Sequence, residues 1–230
     1  MKRAPQLLSL AVFDLDGTLI ELEIEHVVDH IVSFLTARKL AVPTRDRIRH
    51  LLRSHRYEEI FPEEGRAAVA LESWDSYDPR TTPTPKLFDG TLATLEEMVA
   101  RGFELAIATA RTMHTEELRE VLRPTGILKH VEFLSTWYQT GWTGKVEQLK
   151  GVCREHSLPP SSAMMVGDSC DDIRSSRAVG FGLNIALRSG MHLEEMLVLE
   201  EPHYVIDSVT EVPKTVDRFS DELHQPRVSS

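Results

Sequence analysis

Residues 11–20 read AVFDLDGTLI, and they decide the fold because an apolar run ends there in two carboxylates. Leu10 to Phe13 has the composition of a buried β-strand, and Asp14 follows it directly. Asp16 stands two residues further on, immediately before a glycine. Two like charges this close repel, and each raises the pKa of the other unless a cation lies beside them. The stretch therefore predicts a strand that ends at a functional site and needs a positive partner.

The composition is that of an ordinary globular protein. The chain has 230 residues, 41% of them hydrophobic and 27% charged, which suits one large domain or a domain with a substantial insert. Its net charge of −10 argues against a broad basic surface for nucleic acid. The two cysteines, Cys153 and Cys170, lack the spacing of a zinc site or a disulfide framework, and free thiols indicate a reducing, cytoplasmic setting. The apolar stretch 7–13 is too short for a membrane span and has no cleavage signal, so we expect neither a membrane segment nor a targeting segment.

After residue 85, short apolar runs alternate with segments of helical periodicity. This alternation predicts an α/β fold with a Rossmann-like parallel sheet that is flanked by helices. Ligands bind to such sheets at the carboxyl ends of the strands. The strands predicted after the first one are 105–108, 131–134, 163–166, 183–186 and 204–206.

Residues 20–85 have helical spacing and no strand signal. Helices are predicted over about 24–35, 44–57 and 63–74, and the proline-rich stretch 78–85 has the composition of a return linker. We therefore expect an α/β core domain formed by 1–19 and 86–215, an all-helical insert with its linker over 20–85, and a loosely held polar tail at 216–230. The insert would leave the core just after the two aspartates and lie above them.

Polar side chains recur at the points where the predicted strands end. The fourth strand leads into VGDSCDDI at 166–173, and the second leads into a threonine, an alanine and an arginine. A lone lysine opens the helix ahead of the fourth strand. Because the carboxyl ends of parallel strands meet at one edge of the sheet, we expect these residues to form one cluster with the first two aspartates. The members of this cluster are Asp14, Asp16, Thr109, Ala110, Arg111, Lys145, Asp168 and Asp172.

The ordered pair of DLDGT at 14–18 and VGDSCDDI at 166–173 resembles the haloacid dehalogenase superfamily of aspartate-nucleophile phosphohydrolases. The likeness extends from Leu10 to about Ile206, in the right order. It implies that the first strand lies centrally, with the strands that end near Thr109 and Asp168 on either side. It also implies that the insert is the helical cap that closes such sites.

The resemblance implies a role for each residue of the cluster. Asp14 would be the nucleophile that forms an aspartyl-phosphate, and Asp16 would be the general acid and base. Mg²⁺ would be held by the carboxylates of Asp14 and Asp168, with the backbone carbonyl of Asp16 contributing. Thr109 would hydrogen-bond a phosphoryl oxygen, and Lys145 would supply a positive charge.

Several of these residues also have a purely structural explanation. Arg111, beside Ala110, would grip a phosphate or carboxylate of the substrate, or it would form a surface salt bridge. Asp172 would orient Lys145 or a metal-bound water, or it would cap the helix that begins beside it. Thr109 and Lys145 would otherwise be an ordinary strand-end threonine and a solvated helix-start lysine.

Two departures from the family pattern separate this sequence from familiar subgroups. The second motif reads Thr-Ala-Arg, where many relatives with a helical cap have Thr-Asn or Ser-Asn, and no Lys-Pro pair precedes Lys145.

The insert contains a basic segment, residues 45–56, which is either an anion funnel or a solvated helix face with local ion pairs. Trp74 and Tyr77 either pack the cap or stack on a substrate.

The sequence therefore predicts a Mg²⁺-dependent phosphatase that hydrolyses the phosphate monoester of a small metabolite. The alternatives are a phosphomutase with the same nucleophile and a non-catalytic regulatory scaffold. The expected partner is a small phosphorylated metabolite, without nucleic acid or membrane, and the expected assembly is a monomer or a homodimer.

Overall fold

The computed structural model describes residues 7–77, 85–138 and 144–224. Its strands are β1 (Leu10–Phe13), β2 (Glu104–Thr109), β3 (Phe133–Thr136), β4 (Ala163–Gly167), β5 (Leu183–Leu187) and β6 (Tyr204–Ile206). They form one parallel sheet in the order β3-β2-β1-β4-β5-β6. The predicted α/β fold class is confirmed, and β1 lies between the strands that lead to Thr109 and Asp168.

The helices fall into an inserted group and a group that covers the sheet. The inserted helices are α1 (Ile24–Ala37), α2 (Arg45–Arg53) and α3 (Arg66–Asp75). The helices of the core are α4 (Thr91–Ala100), α5 (Thr115–Leu122), α6 (Lys145–Glu155), α7 (Cys170–Val179), α8 (Glu194–Leu199) and α9 (Val212–His224). Among the described residues, no helix combines the length and the apolar composition needed to cross a membrane.

Strand β1 is buried on both faces because its side chains alternate between two apolar layers. Leu10 and Val12 belong to a cluster that includes residues of α6. Ala11 and Phe13 belong to a second cluster, which includes residues of α4. All four side chains are fully buried. This two-sided packing fixes the position of β1, so Asp14, the residue that follows it, has a defined place at the edge of the sheet.

The insert has an apolar core of its own. Val28, Ile31 and Ile48 are fully buried in a cluster formed mainly by residues of the insert. The chain enters and leaves the insert side by side, because Ile20 forms a bridge with Leu87. The inserted helical cap is confirmed as part of the fold, while its division from the core at 1–19, 20–85 and 86–215 stays a prediction.

The end of the chain differs from the expected tail. The polar segment predicted from 216 onward is wrong as far as residue 224, because α9 continues to His224. Val212, Val216 and Phe219 lie on one face of α9 and are buried. Their helical spacing covers apolar surface that a loose tail would leave exposed. Residues 225–230 of the predicted tail and 78–84 of the predicted linker lie outside the described residues.

Strand β3 is shifted by two residues from the predicted 131–134. Its ladder with β2 pairs Ala106 with Phe133 and Thr109 with Thr136. The strand therefore includes two buried polar residues that apolar patterning does not select. The carbonyl of Ser135 accepts a hydrogen bond from Gln148 Nε2 at 2.9 Å, which satisfies one of its buried polar groups.

Candidate active site

Lys145 joins the ends of the central strands through three hydrogen bonds. Its ammonium lies 2.8 Å from Asp14 Oδ1, 2.7 Å from Asp172 Oδ1 and 2.6 Å from the carbonyl oxygen of Ala108. Burial disfavours the charged form, but the two carboxylates outweigh it, so the pKa of Lys145 is raised. The alternative of a solvated helix-start lysine is therefore wrong for Lys145, whose side chain is only 5% exposed.

Asp14 directly follows β1 and is the carboxylate closest to the end of that strand. Burial raises its pKa well above the ordinary value, Lys145 lowers it, and the nearby carboxylates of Asp172 and Asp168 raise it further. One oxygen accepts from Lys145, while Oδ2 has no hydrogen-bond partner within the described part of the chain. A buried carboxylate with one unpartnered oxygen is suited to bind a cation or to attack an electrophile.

Asp168 is fixed by two donors from different parts of the chain. The hydroxyl of Thr18 donates to Oδ1 at 2.9 Å, and the amide of Met191 donates to Oδ2 at 2.6 Å. The backbone approaches so closely that a Cβ at Gly190 would lie 2.0 Å from Oδ2 of Asp168. Burial and the charge of Asp172 together raise the pKa of Asp168 to about 7. The carboxylate is thus held in place by two donors that are both uncharged.

The donor set fits a hard divalent cation. Asp14, Asp168 and Asp172 each offer an oxygen, and these atoms lie within 4.8 Å of one another. Asp172 is already engaged, because Lys145 contacts Oδ1 and Ser169 donates to Oδ2 at 2.7 Å. The carboxylates of Asp14 and Asp168 are then the side chains best able to hold Mg²⁺, an ion that prefers oxygen ligands. A bound cation would also offset the repulsion that raises the pKa values of both groups.

Asp172 makes a contact that suits each of the two roles predicted for it. It contacts Lys145, and it forms a reciprocal capping box with Ser169 at the start of α7. Asp171, its neighbour, has a side chain that is 55% exposed and lies 3.4 Å from Arg174.

Asp16 points toward a guanidinium. Arg111 Nε donates to Asp16 Oδ2 at 2.8 Å, and Arg111 Nη2 donates to Asp16 Oδ1 at 2.7 Å. The Arg111 side chain is only 9% exposed, so the alternative of a surface salt bridge is wrong for this residue. Burial opposes the charge of Arg111, but the hydrogen bonds and the charge of Asp16 outweigh it and raise the pKa of Arg111.

Thr109 is the last residue of β2 and is buried. Its hydroxyl oxygen accepts a hydrogen bond from the amide of Arg111 at 3.2 Å, so the hydroxyl proton is available for a second partner. Gln148 donates from Nε2 to the carbonyl of Thr109 at 2.9 Å and ties this strand end to α6. Sequence reasoning missed Gln148, since a glutamine on a helix carries no distinctive signal.

One cavity of about 590 Å³ lies between the insert and the carboxyl edge of the sheet. The core contributes the predicted residues to its wall, which are Asp14, Asp16, Thr109, Ala110, Arg111, Lys145, Asp168 and Asp172. The insert contributes His55, Trp74 and Tyr77. The structure therefore brings all the predicted site residues together, and their chemical roles stay predictions.

Sequence reasoning missed the loop that follows β5. Met191 supplies the amide bound to Asp168, and its side chain packs against the apolar cluster of the insert. Nε2 of His192 lies 3.3 Å from Nδ1 of His55. The amide of Leu193 donates to the carbonyl of Arg53 at 2.9 Å. The rule that ligands bind at strand ends applies to β5 as well, and it was the signal available for this loop.

The basic segment 45–56 is largely paired. Arg45 contacts Glu25 and Asp29, and Arg49 contacts Glu25 and Asp46. These pairs lie on the outside of the insert and favour the solvated helix face over the anion funnel.

Buried carboxylates around a lysine, at the carboxyl edge of a parallel sheet and beneath a helical insert, define a capped α/β enzyme. The sequence profile of the haloacid dehalogenase-like hydrolases matches residues 11–185. The chain belongs to this family of hydrolases.

The comparisons with individual proteins agree with the family. The phosphoglycolate phosphatase of Vibrio vulnificus is 26% identical over 227 residues, which cover 90% of this chain and 95% of the relative. A haloacid dehalogenase-like protein from Streptococcus pneumoniae superposes with a TM-score of 0.72 at 19% identity, covering 90% of this chain and 98% of its own. A predicted phosphatase from Clostridium acetobutylicum superposes with a TM-score of 0.73 at 20% identity, covering 92% of this chain and 99% of its own. The two structures share the fold.

Proposed function

We propose that this hydrolase is a Mg²⁺-dependent phosphatase that acts on the phosphate monoester of a small metabolite. The single observation that carries the proposal is the contact between Asp14 and Lys145 beside Asp168, in a cavity under the insert. It combines a nucleophile, a fixed positive charge and a cation-binding carboxylate at one edge of the sheet.

Asp14 is the proposed nucleophile. Its Oδ2 forms a bond to phosphorus while the bond from phosphorus to the leaving oxygen breaks, and Asp16 gives that oxygen a proton. Asp16 then accepts a proton from a water molecule whose oxygen attacks phosphorus. The bond between phosphorus and Asp14 breaks, so the products are inorganic phosphate and the free carboxylate.

The neighbouring groups hold the phosphoryl group and neutralise its charge. Lys145 contacts Asp14 Oδ1 and keeps Oδ2 directed at the cavity, while the Thr109 hydroxyl donates to a phosphoryl oxygen. Mg²⁺ held by Asp14 and Asp168, with the backbone carbonyl of Asp16, would neutralise negative charge on the phosphoryl group. Arg111 and Ala110 line the substrate side of the site.

Hydrolysis of a generic aryl phosphate tests the proposal. The protein should release inorganic phosphate with Mg²⁺, lose this activity with EDTA, and regain it when Mg²⁺ is restored. Asp14→Asn keeps the shape of the side chain and removes the nucleophile, so it should be inactive, while Asp171→Asn serves as a matched control outside the proposed mechanism. Full activity of Asp14→Asn would refute the mechanism.

The same assay separates hydrolysis from phosphoryl transfer between sugars. Steady release of inorganic phosphate without a bisphosphate activator is expected of a phosphatase. Turnover that requires such an activator would instead favour the phosphomutase.

A further inference from the structure

The two carboxylate oxygens of Asp16 are both occupied by one guanidinium. Arg111 meets them through two parallel hydrogen bonds of 2.8 and 2.7 Å, which is the fork geometry that arginine forms with carboxylates. Asp16 is the group proposed to move protons in the reaction. While it is held in this way, neither oxygen is free to approach a leaving group.

The ion pair has no clear explanation as a stabilising element. The side chain of Arg111 is 9% exposed and that of Asp16 is 29% exposed, so both groups have lost much of their water. Desolvation offsets part of the attraction in such a pair, and an apolar pair of similar volume is often at least as stable. A pair that is not required for stability but borders the active-site cavity points to a role in the site.

The backbone of Arg111 is anchored, whereas its side-chain contact is exchangeable. The amide of Arg111 donates to Thr109 Oγ1 at 3.2 Å, and its carbonyl accepts from the amide of Trp137 at 3.1 Å. Asp16 lies in the turn after β1, where its backbone forms a bridge with Ile20. Rotation of the two side chains would therefore separate them without moving either strand end.

The two lysines that line this cavity have other partners. Lys145 is held by Asp14, Asp172 and a backbone carbonyl. Lys86 pairs with Glu21 and is 73% exposed. Among the described lysines and arginines that line the cavity, Arg111 alone is both buried and paired with the proposed acid and base.

We propose that Arg111 is a specificity and positioning residue that exchanges Asp16 for an anionic group on the leaving group of the substrate. The carboxylate of Asp16 occupies the place that a carboxylate of the substrate would take. Binding of such a substrate releases Asp16 toward the leaving oxygen, whereas a neutral leaving group leaves it held. This inference rests on the proposed phosphatase function and narrows its substrates to phosphate monoesters that carry a second anion, a carboxylate above all.

A pair of matched substrates tests the exchange. Phosphoglycolate carries a carboxylate, and ethyl phosphate has a methyl group in the same place. The wild-type protein should prefer phosphoglycolate in kcat/KM, and Arg111→Gln should lower this preference roughly 10- to 100-fold, chiefly by raising KM for phosphoglycolate. Arg111→Lys keeps the positive charge but not the two parallel hydrogen bonds. Its preference for phosphoglycolate should lie between those of the wild-type protein and Arg111→Gln.

Arg101→Gln is the matched control, because Arg101 also binds two carboxylates but lies away from the cavity. It should keep the wild-type preference. If Arg111→Gln lowers kcat/KM for both substrates by the same factor, Arg111 only orients Asp16 and the exchange is refuted.

A measurement on the wild-type protein does not depend on the folding of any variant. Acetate in place of chloride, at constant ionic strength and excess Mg²⁺, should occupy the guanidinium and raise the hydrolysis rate of methyl phosphate. An unchanged or reduced rate would refute the exchange. Failure of the proposed phosphatase function would look different, since no phosphate monoester would then be hydrolysed with Mg²⁺.

Discussion

At the scale of single residues, Lys145 determines the electrostatics of the site. It lies between Asp14 and Asp172, and without its charge two buried carboxylates would lose the cation that contacts both of them. Its position at the start of α6 follows from Gly144, whose φ of +89° lies in a region that side chains other than glycine rarely adopt. The backbone thus turns into the helix where the ammonium can reach the strand ends.

Lys145→Met should impair both folding and catalysis. Removing one member of a buried ion cluster leaves unpaired charge, and we expect a loss of roughly 3–5 kcal/mol in the free energy of unfolding. Lys150→Met, which removes an exposed pair with Glu147, should cost less than about 1 kcal/mol. Urea denaturation of both variants checks the difference, and equal losses would contradict the role given to Lys145.

At the scale of elements, the loop between β5 and α8 connects the insert with Asp168. The amide of Met191 binds Asp168, its side chain packs on the insert, and His192 contacts His55. A change in the position of the insert would therefore shift the carboxylate of Asp168, which we propose to bind Mg²⁺.

Gly190→Ala should weaken activation by Mg²⁺. An added Cβ would lie 2.0 Å from Asp168 Oδ2, so the carboxylate or the loop must move. We expect the Mg²⁺ concentration for half-maximal activity to rise by about tenfold, the order of effect seen when a group that orients a metal ligand is lost. A Mg²⁺ titration of phosphate release measures this change.

Gly151→Ala is the matched control for that titration. Gly151 lies inside α6, where the nearest atom to an added Cβ is the end of the Arg154 side chain at 3.7 Å. Alanine is also the better helix former, so this variant should keep the wild-type Mg²⁺ dependence. The same shift in both variants would show that Asp168 is not the affected group.

The elements differ in how far the sequence predicts them. Apolar runs such as Leu10 to Phe13 identify buried strands, and strand ends then identify Asp14 and Asp168, because both signals are local. The partner of Asp16 is not predictable in this way, since Arg111 lies on another strand end and its side chain has several directions open to it. Thr18 and the amide of Met191 bind Asp168 through tertiary contacts, and a backbone amide carries no sequence signal at all. The helical spacing of Val212, Val216 and Phe219 was a local signal for α9, but the polar composition of 216–230 obscured it.

At the scale of the whole molecule, a buried histidine lies where the core meets the insert. Nδ1 of His192 accepts a hydrogen bond from the amide of Cys170 at 2.9 Å. The neutral ring therefore carries its proton on Nε2, the nitrogen that faces His55. Burial, and then the neighbouring His55, lower the pKa of His192 from 6.5 to about 4. The folded protein thus holds this histidine neutral at a pH where the unfolded chain would protonate it.

The contribution of His192 to stability should therefore fall as the pH drops below about 6.5, whereas Asp168, whose pKa is raised, changes stability in the opposite direction. The unfolded state binds the proton first, so the free energy of unfolding declines between the ordinary pKa and the lowered one, by about 2 kcal/mol at pH 5 for this group. His192→Asn keeps an acceptor and removes this titration, so its change in stability from pH 7 to pH 5 should be more favourable than that of the wild-type protein by about 2 kcal/mol. Denaturation curves at pH 7 and pH 5 measure the difference.

His50→Asn, a change at an exposed position of α2, is the control for the pH experiment. It should retain the wild-type pH dependence. If His192→Asn also retains it, the histidine at the boundary of core and insert is not the group responsible.

The central claim is that Asp14 attacks phosphorus, and mass spectrometry of the acid-quenched protein during turnover tests it most directly. With substrate and Mg²⁺, the peptide that contains Asp14 should gain the mass of one phosphoryl group on that residue. The adduct should be absent from Asp14→Asn and should disappear once the substrate is consumed. A phosphoryl group on any other residue, or phosphate release by Asp14→Asn at the wild-type rate, would contradict the account.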